Sequence, residues 1–198
     1  MTTNDQIYID KILQGDTNAF SVLVDRYKDL VFTLALRMMK HREEAEEVAQ
    51  DTFIKVFGSL NKFKGDSKFS TWIYRVAYNT CLDRLKKNKR TQNTVTIDEY
   101  TEHQVKTIDN AFERLASEER RLAVQHCVEQ LPSEDNFLMT LFYFEELSLE
   151  EIAKVVNLKP NNVKVKLHRA RKKLAIILKE KLDNETIEDY GITFRAAF

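Results

Sequence analysis

Glycine and proline are scarce in this 198-residue chain, four and two respectively. So few breakers leave little room for closely spaced tight turns, and the apolar residues recur mostly at helical spacing, so an all-α protein is expected. Only two cysteines occur, Cys81 and Cys127. They lack CxxC spacing and no secretion signal precedes them, which makes core thiols of a cytosolic, cytoplasmic protein the expectation. His126 beside Cys127 adds too few ligands for a zinc site. No apolar run is long enough to span a bilayer, so no membrane insertion is expected. A Gly-rich phosphate loop, a nucleophile with its base and a metal cluster are all missing. Neither a cofactor nor a metal nor catalysis is therefore expected. Net charge is absent too, with Lys+Arg 31 against Asp+Glu 31. That argues against generic coating of nucleic acid, but the basic residues gather around 84–90 and 159–181 and leave local patches for DNA.

What is present begins with Leu147 to Leu178, LSLEEIAKVVNLKPNNVKVKLHRARKKLAIIL. Ser148 and Glu151 have capping-box spacing, with Leu147 and Ile152 placed as a hydrophobic staple. The helix they start should stop near Asn157, which tolerates the left-handed conformation, and Pro160 suits the first position of the next helix. The pattern predicts a helix-turn-helix. In the second helix Val163, Leu167, Ala170 and Leu174 form the apolar stripe. Asn161, Asn162, Lys164, Lys166, His168, Arg169, Arg171, Lys172 and Lys173 supply polar and basic groups suited to base edges and phosphates. A solvated basic face is the plainer reading of such a run.

In chain order, a short amphipathic helix is predicted around Ile7 to Leu13, ended by Gly15. Asp16 can cap a longer helix carrying Ala19, Phe20, Leu23, Val24 and Tyr27, its stripe continuing through Val31, Leu34, Ala35 and Met38. From Glu43 to Phe57 the positions Ala45, Val48, Ala49, Thr52, Phe53, Val56 and Phe57 predict a core-facing stripe ended by Gly58. The opposite face bears Glu43, Glu44, Glu46, Glu47, Gln50, Asp51 and Lys55, either merely solvated or a binding surface. Asn61 to Thr71 reads as a loop whose Phe63 and Phe69 alternate with lysines. That mixture offers a single strand stacking and charge, unless the rings simply pin the loop to the core. Ser70 or Thr71 then caps a helix with apolar Trp72, Ile73, Val76, Ala77, Cys81, Leu82 and Leu85. Arg75, Tyr78, Asn79 and the cations from Arg84 to Arg90 form its polar side. Asn88 to Asn110 lacks helical periodicity and reads as a linker. Its length of about 23 residues reaches ~75 Å extended and roughly 25 Å as a coil.

The succession AFSVLVDRYKDLVFTLALRM, EEAEEVAQDTFIKVF, FKGDSKFSTWIYRVAYNTCLDRLKK and LPSEDNFLMTLFYFEELSLEEIAKVVNLKPNNVKVKLHRARKKL closely resembles the regions of extracytoplasmic-function (ECF) sigma factors, in the family's order. The resemblance implies two helical domains joined by a flexible linker, the second containing the helix-turn-helix. Region 2 would span 5–90, the linker 91–112, region 4 residues 113–182, and a C-terminal extension 183–198. It implies a factor that binds core RNA polymerase and directs promoter recognition, melting and transcription initiation. By resemblance, Glu47, Gln50 and Asp51 would meet the clamp helices of the beta-prime subunit. Phe63, Lys64, Lys68, Phe69, Trp72, Arg75 and Asn79 would open and hold the minus-ten DNA. Asn161, Asn162, Lys164, Lys166, His168, Arg169 and Arg171 would read the minus-thirty-five element as duplex. An anti-sigma factor is expected as a further partner. Family members often carry Gly at the place of Asn157, Ser or Thr at that of Lys159, and a basic residue at that of Tyr78. A stand-alone helix-turn-helix regulator would leave the aromatic loop and acidic helix unexplained, and a purely protein-binding adaptor would leave the basic helix unexplained as well.

Overall fold

A computed structural model describes residues 5–91 and 118–181, with side chains over 5–88 and 124–181. The linker acids Asp98, Glu99, Glu102 and Asp109 and the extension with Tyr190, Phe194 and Phe198 lie outside the described residues. Every regular element among the described residues is helical. The chain divides into two compact units, residues 1–94 with 150–158 and residues 95–149 with 159–198.

The first unit opens with α1, Asp5–Leu13, which buries Ile9 and Ile12. Gly15 follows at φ 104°, a conformation that suits a residue without a Cβ. Asp16 does not cap the long helix. It precedes a 3-10 turn, Thr17–Ala19, makes no side-chain capping bond there, and α2 starts only at Phe20 and runs to Met39. Its buried residues Leu23, Tyr27, Val31, Leu34, Ala35, Met38 and Met39 follow steps of mostly three and four. Lys40, at φ 59°, closes it with an N–H bond of 2.9 Å to the Leu36 carbonyl.

Helix α3, Arg42–Ser59, passes through Gly58 rather than ending at it. A helical Gly costs only about 1 kcal/mol relative to Ala, which neighbouring packing outweighs. Ala45, Val48, Ala49, Thr52 and Val56 are buried, but Phe57 is exposed and Phe53 half-buried. Both rings instead meet Phe20 edge-on, at 6.5 Å for Phe53 and 5.0 Å for Phe57. After a 3-10 turn at Leu60–Lys62 and a short loop comes α4, Phe69–Thr91. Ser70 and Thr71 thus lie inside its first turn rather than capping it. Helix α2 packs on α3 and α4, and these two pack on each other. The buried hydroxyls of Thr52 and Thr80 donate to the carbonyls four residues back, at 2.7 and 2.9 Å. Cys81 is fully buried and unpaired, and burial pushes its thiol up to about 12.

In the second unit α5, Glu118–Glu129, and α6, Ser133–Tyr143, both pack on α8, Pro160–Lys181. Cys127, Leu131, Phe137, Met139, Leu141, Val163, Leu167, Ala170, Leu174 and Leu178 are buried there. Helix α7, Leu149–Val156, belongs by compactness to the first unit and leads directly into the turn before α8. Asn157 takes φ 54°, and the Leu158 N–H donates to the Ala153 carbonyl at 3.0 Å, the six-to-one bond of a Schellman ending. The Lys159 carbonyl accepts from Asn162 and Val163, and α8 starts at Pro160 as the sequence predicts.

Candidate nucleic-acid and polymerase interfaces

On α3 the side chains of Glu47, Gln50 and Asp51 are exposed at steps of three and one, so they share one face. Ile54, three residues further, is 69% exposed on that same side. The acids are not simply solvated. Arg84 of α4 reaches Glu47 at 2.6 Å and Asp51 at 3.9 Å, while Asn88 donates to Glu44 at 2.8 Å. One guanidinium therefore sits between two carboxylates and holds them in register, leaving Gln50 and the outer carboxylate oxygens toward solvent. An open groove of about 510 Å³ between α3 and α4 is lined by Lys55, Gly58, Ser59, Val76, Asn79, Thr80 and Asp83.

The aromatic loop separates into an inner and an outer part. Phe69 is only 4% exposed, held by Tyr27 at 5.6 Å, Phe63 at 5.4 Å and Trp72 at 5.6 Å. Its ring belongs to the core and is not offered to a base in this structure. Phe63 is half-buried and leans on Trp72 at 5.5 Å, which leaves one side of its ring outward. Lys64 and Lys68 are exposed beside it, and Gly65 takes φ 77° between them. Half-buried Trp72 with exposed Arg75 and Asn79 continues this surface along one side of α4. Tyr78 is not part of that surface, because its side chain is buried.

Helix α8 also proves to have two kinds of cation. Lys166 pairs with Glu134 at 3.1 Å and Lys173 with Asp135 at 2.6 Å. Arg171 donates to the Tyr143 hydroxyl at 2.6 Å and lies over the Phe142 and Tyr143 rings at 5.5 Å. These three reach sideways to α6 and fix the helix. Asn161, Asn162, Lys164, His168 and Arg169 are exposed on the outer side. Among them stands a residue that a reading of polar positions overlooks, Val165, 48% exposed. Its position, four residues after Asn161 and four before Arg169, was signal enough to place it on the outer face. An apolar β-branched side chain there matches a thymine methyl in a major groove.

Comparison with known proteins gives these surfaces a family. Residues 23–91 match the model for Sigma-70 region 2, and residues 121–174 that for Sigma-70, region 4. The chain is 34% identical over 173 residues to the RNA polymerase sigma-H factor of Pseudomonas aeruginosa, covering 84% of this chain and 90% of that one. It is 33% identical over 172 residues to the ECF RNA polymerase sigma factor SigW of Bacillus subtilis, covering 84% and 92%. With the ECF RNA polymerase sigma-E factor of Escherichia coli K12 it shares 33% over 173 residues, covering 84% and 90%. A chain in the structure of CnrH in complex with the cytosolic domain of CnrY shares the fold at TM-score 0.61 and 23% identity, over 89% of this chain and 98% of that one. A chain of the sigma factor RpoE complex with the anti-sigma factor NepR from Bartonella quintana does so at 0.59 and 18%, over 82% and 98%.

Two matched regions in this order define an RNA polymerase sigma factor of the sigma-70 type, a DNA-binding protein that regulates initiation. Within that class the chain belongs to the ECF sigma factors. It binds core RNA polymerase and directs promoter recognition and transcription initiation. Among the described residues no helix is long and apolar enough to cross a membrane.

Proposed function

We propose that the exposed surfaces divide the work of initiation among themselves. Glu47, Gln50 and Asp51 meet the clamp helices of the beta-prime subunit, with Ile54 adding apolar contact at the same face. Phe63, Lys64, Lys68, Trp72, Arg75 and Asn79 hold the minus-ten element as it opens, and Phe69 acts from behind Phe63 rather than on DNA. Asn161, Asn162, Lys164, His168 and Arg169 read the minus-thirty-five duplex together with Val165, while Lys166 and Arg171 set the stance of the helix. The working domains are then 5–90 and 113–182, joined by 91–112 and followed by 183–198. The protein acts in the cytoplasm and catalyses nothing itself, leaving bond formation to the polymerase. An anti-sigma factor holds it before induction, a reading supported by the RpoE neighbour, which is bound to the anti-sigma factor NepR.

The observation that carries this division is chemical. One surface of the chain has a ring flanked by lysines, as an unpaired strand requires, and another has a helix with polar groups suited to an intact groove. The test is a mobility shift of promoter DNA with and without core polymerase, combined with permanganate mapping of strand opening by a Phe63→Ala, Lys64→Ala variant. Initial binding should need core polymerase and survive the substitutions. Opening should fail on duplex promoter and recover on a pre-melted one. Full opening on duplex promoter by the variant would leave the loop as packing alone.

A further inference from the structure

A carboxylate at the start of α1 is tied to the aromatic loop through a continuous series of side-chain contacts. Asp5, at the start of α1, is 9% exposed. A carboxylate so placed is costly unless paired and hydrogen-bonded. It accepts bonds from the Arg26 guanidinium and from the Tyr27 hydroxyl, the latter at 2.8 Å. Arg26 in turn lies over the Tyr8 ring at 5.5 Å, so α1 is clamped to α2 at two points. Burial, and then the Asp5 carboxylate, push the Tyr27 phenol upward, and it stays a protonated donor.

The clamp does more than join α1 to α2. The Tyr27 ring meets Phe69 at 5.6 Å with an interplanar angle of 65°. Phe69 is the first residue of α4 and touches both Phe63 and Trp72, which touch each other. Those three rings form a closed triangle, and only Phe63 and Trp72 carry it to the surface. The position of Phe63 thus depends on Phe69, that of Phe69 on Tyr27, and that of Tyr27 on Asp5. A Tyr ring without its hydroxyl partner loses one restraint on its tilt, and aromatic pairs favour particular edge-on or offset geometries.

We propose that Asp5 and Tyr27 are positioning residues for strand opening: they brace the Phe69 ring, and through it the Phe63 and Trp72 rings that receive the unpaired minus-ten strand. This rests on the loop's assignment to the opening strand. Preorganisation of a binding ring reduces the freedom lost when a base stacks on it, so the brace acts on opening and not on initial binding.

Tyr27→Phe removes the hydroxyl while conserving the ring, and Asp5→Asn removes the charge that Arg26 and Tyr27 bond while conserving volume, so both leave the helices able to form. The full chain with core polymerase is the sample. Each variant should open duplex promoter roughly 3- to 10-fold less well, the loss expected of one buried hydrogen bond. Its affinity for core polymerase and its closed-complex formation should be unchanged, and a pre-melted promoter should restore opening. Trp72 is the sole tryptophan of the chain, so in the full chain without polymerase its fluorescence reads the triangle directly. Both variants should make it more accessible to acrylamide. Phe63→Ala serves as the control. If it impairs opening while Tyr27→Phe and Asp5→Asn do not, the brace is wrong and the loop assignment stands. If Phe63→Ala itself opens duplex promoter fully, the loop assignment falls. A defect in which core affinity drops by the same factor as opening would mean loss of folded protein, and would also overturn the brace.

Discussion

Arg171 and the pair Lys164 and Arg169 stand on one helix, yet their removal should break different things. Arg171 donates a 2.6 Å bond to Tyr143 and lies over two rings. A net hydrogen bond contributes about 0.5–1.5 kcal/mol, and a cation over a ring about 0.5–1 kcal/mol where partly exposed. Arg171→Ala should thus lower the stability of the C-terminal unit by roughly 2 kcal/mol. Freeing this guanidinium for a phosphate would cost a comparable amount, so its loss should hardly alter the salt dependence of promoter binding. Lys164 and Arg169 are exposed, and their double alanine variant should stay within about 0.5 kcal/mol of the parent in stability. Its log-affinity against log-salt slope should be flatter by about 1.8, about 0.9 for each phosphate no longer neutralised. The assays are fluorescence anisotropy of holoenzyme on labelled promoter across a salt series, and urea unfolding followed by circular dichroism. An Arg171→Ala protein with unchanged stability and a slope flattened by about 0.9 would put its guanidinium on a phosphate and overturn the distinction.

Charge reversal at Glu47 and Asp51 should weaken capture of core polymerase in a pull-down, and adding Arg84→Glu should restore the ion pairs between α3 and α4 without restoring capture. Unchanged capture in the double reversal would remove this contact. Val165→Ala should lose part of the preference for thymine over uracil at one base of the minus-thirty-five duplex, up to about 0.8 kcal/mol, since it is the methyl group that the valine covers. Equal preference in parent and variant, measured by competition with uracil-substituted promoters, would clear Val165 of a reading role. Cys81 is buried with its thiol raised to about 12, so its alkylation in the native protein should stay slow up to pH 10, where a free thiol of ordinary pKa is already mostly thiolate and reacts fast. Rapid labelling of Cys81 in that range, located by mass spectrometry, would show the burial to be wrong.

The turn from α7 into α8 was legible nearly residue by residue, and the reason is that its determinants are local. Asn157 at positive φ, Pro160 at a helix start and the stripe Val163, Leu167, Ala170 and Leu174 all obey rules that act within one or two turns. The misread helix starts were contests between a local signal and a distant one. Asp16 and Ser70 are good capping types. The helices nonetheless begin at Phe20 and Phe69, whose rings pack against Phe53 and Phe57 and against Tyr27. The site blurred for the same reason. Nothing near Arg171 in sequence tells that its partner is Tyr143, 28 residues away, and nothing near Phe69 tells that Tyr27 will cover it. Periodicity gives a face, whereas the choice between core and surface for an aromatic, or between partner and solvent for a cation, is made by another element.

These pairings also explain how a chain with no net charge can work on a polyanion. Lys166 and Lys173 are matched by Glu134 and Asp135 on α6, and Arg84 by Glu47 and Asp51 on α3. Much of the balance is thus struck inside each unit, and the outer side of α8 keeps exposed Lys164 and Arg169 with half-buried Lys172 as its cations. Three phosphate contacts correspond to a salt slope of about −2.7, well short of that of a binder using six to ten contacts. Duplex binding by the isolated factor should accordingly be weak at physiological salt and should gain its strength only when the polymerase adds contacts of its own. A neutral factor avoids wandering over bulk DNA for the same reason, because non-specific affinity is almost wholly electrostatic. Its discrimination then falls on the short-range groups, the amides of Asn161 and Asn162 and the methyls of Val165, which act only once the helix has been delivered to the groove.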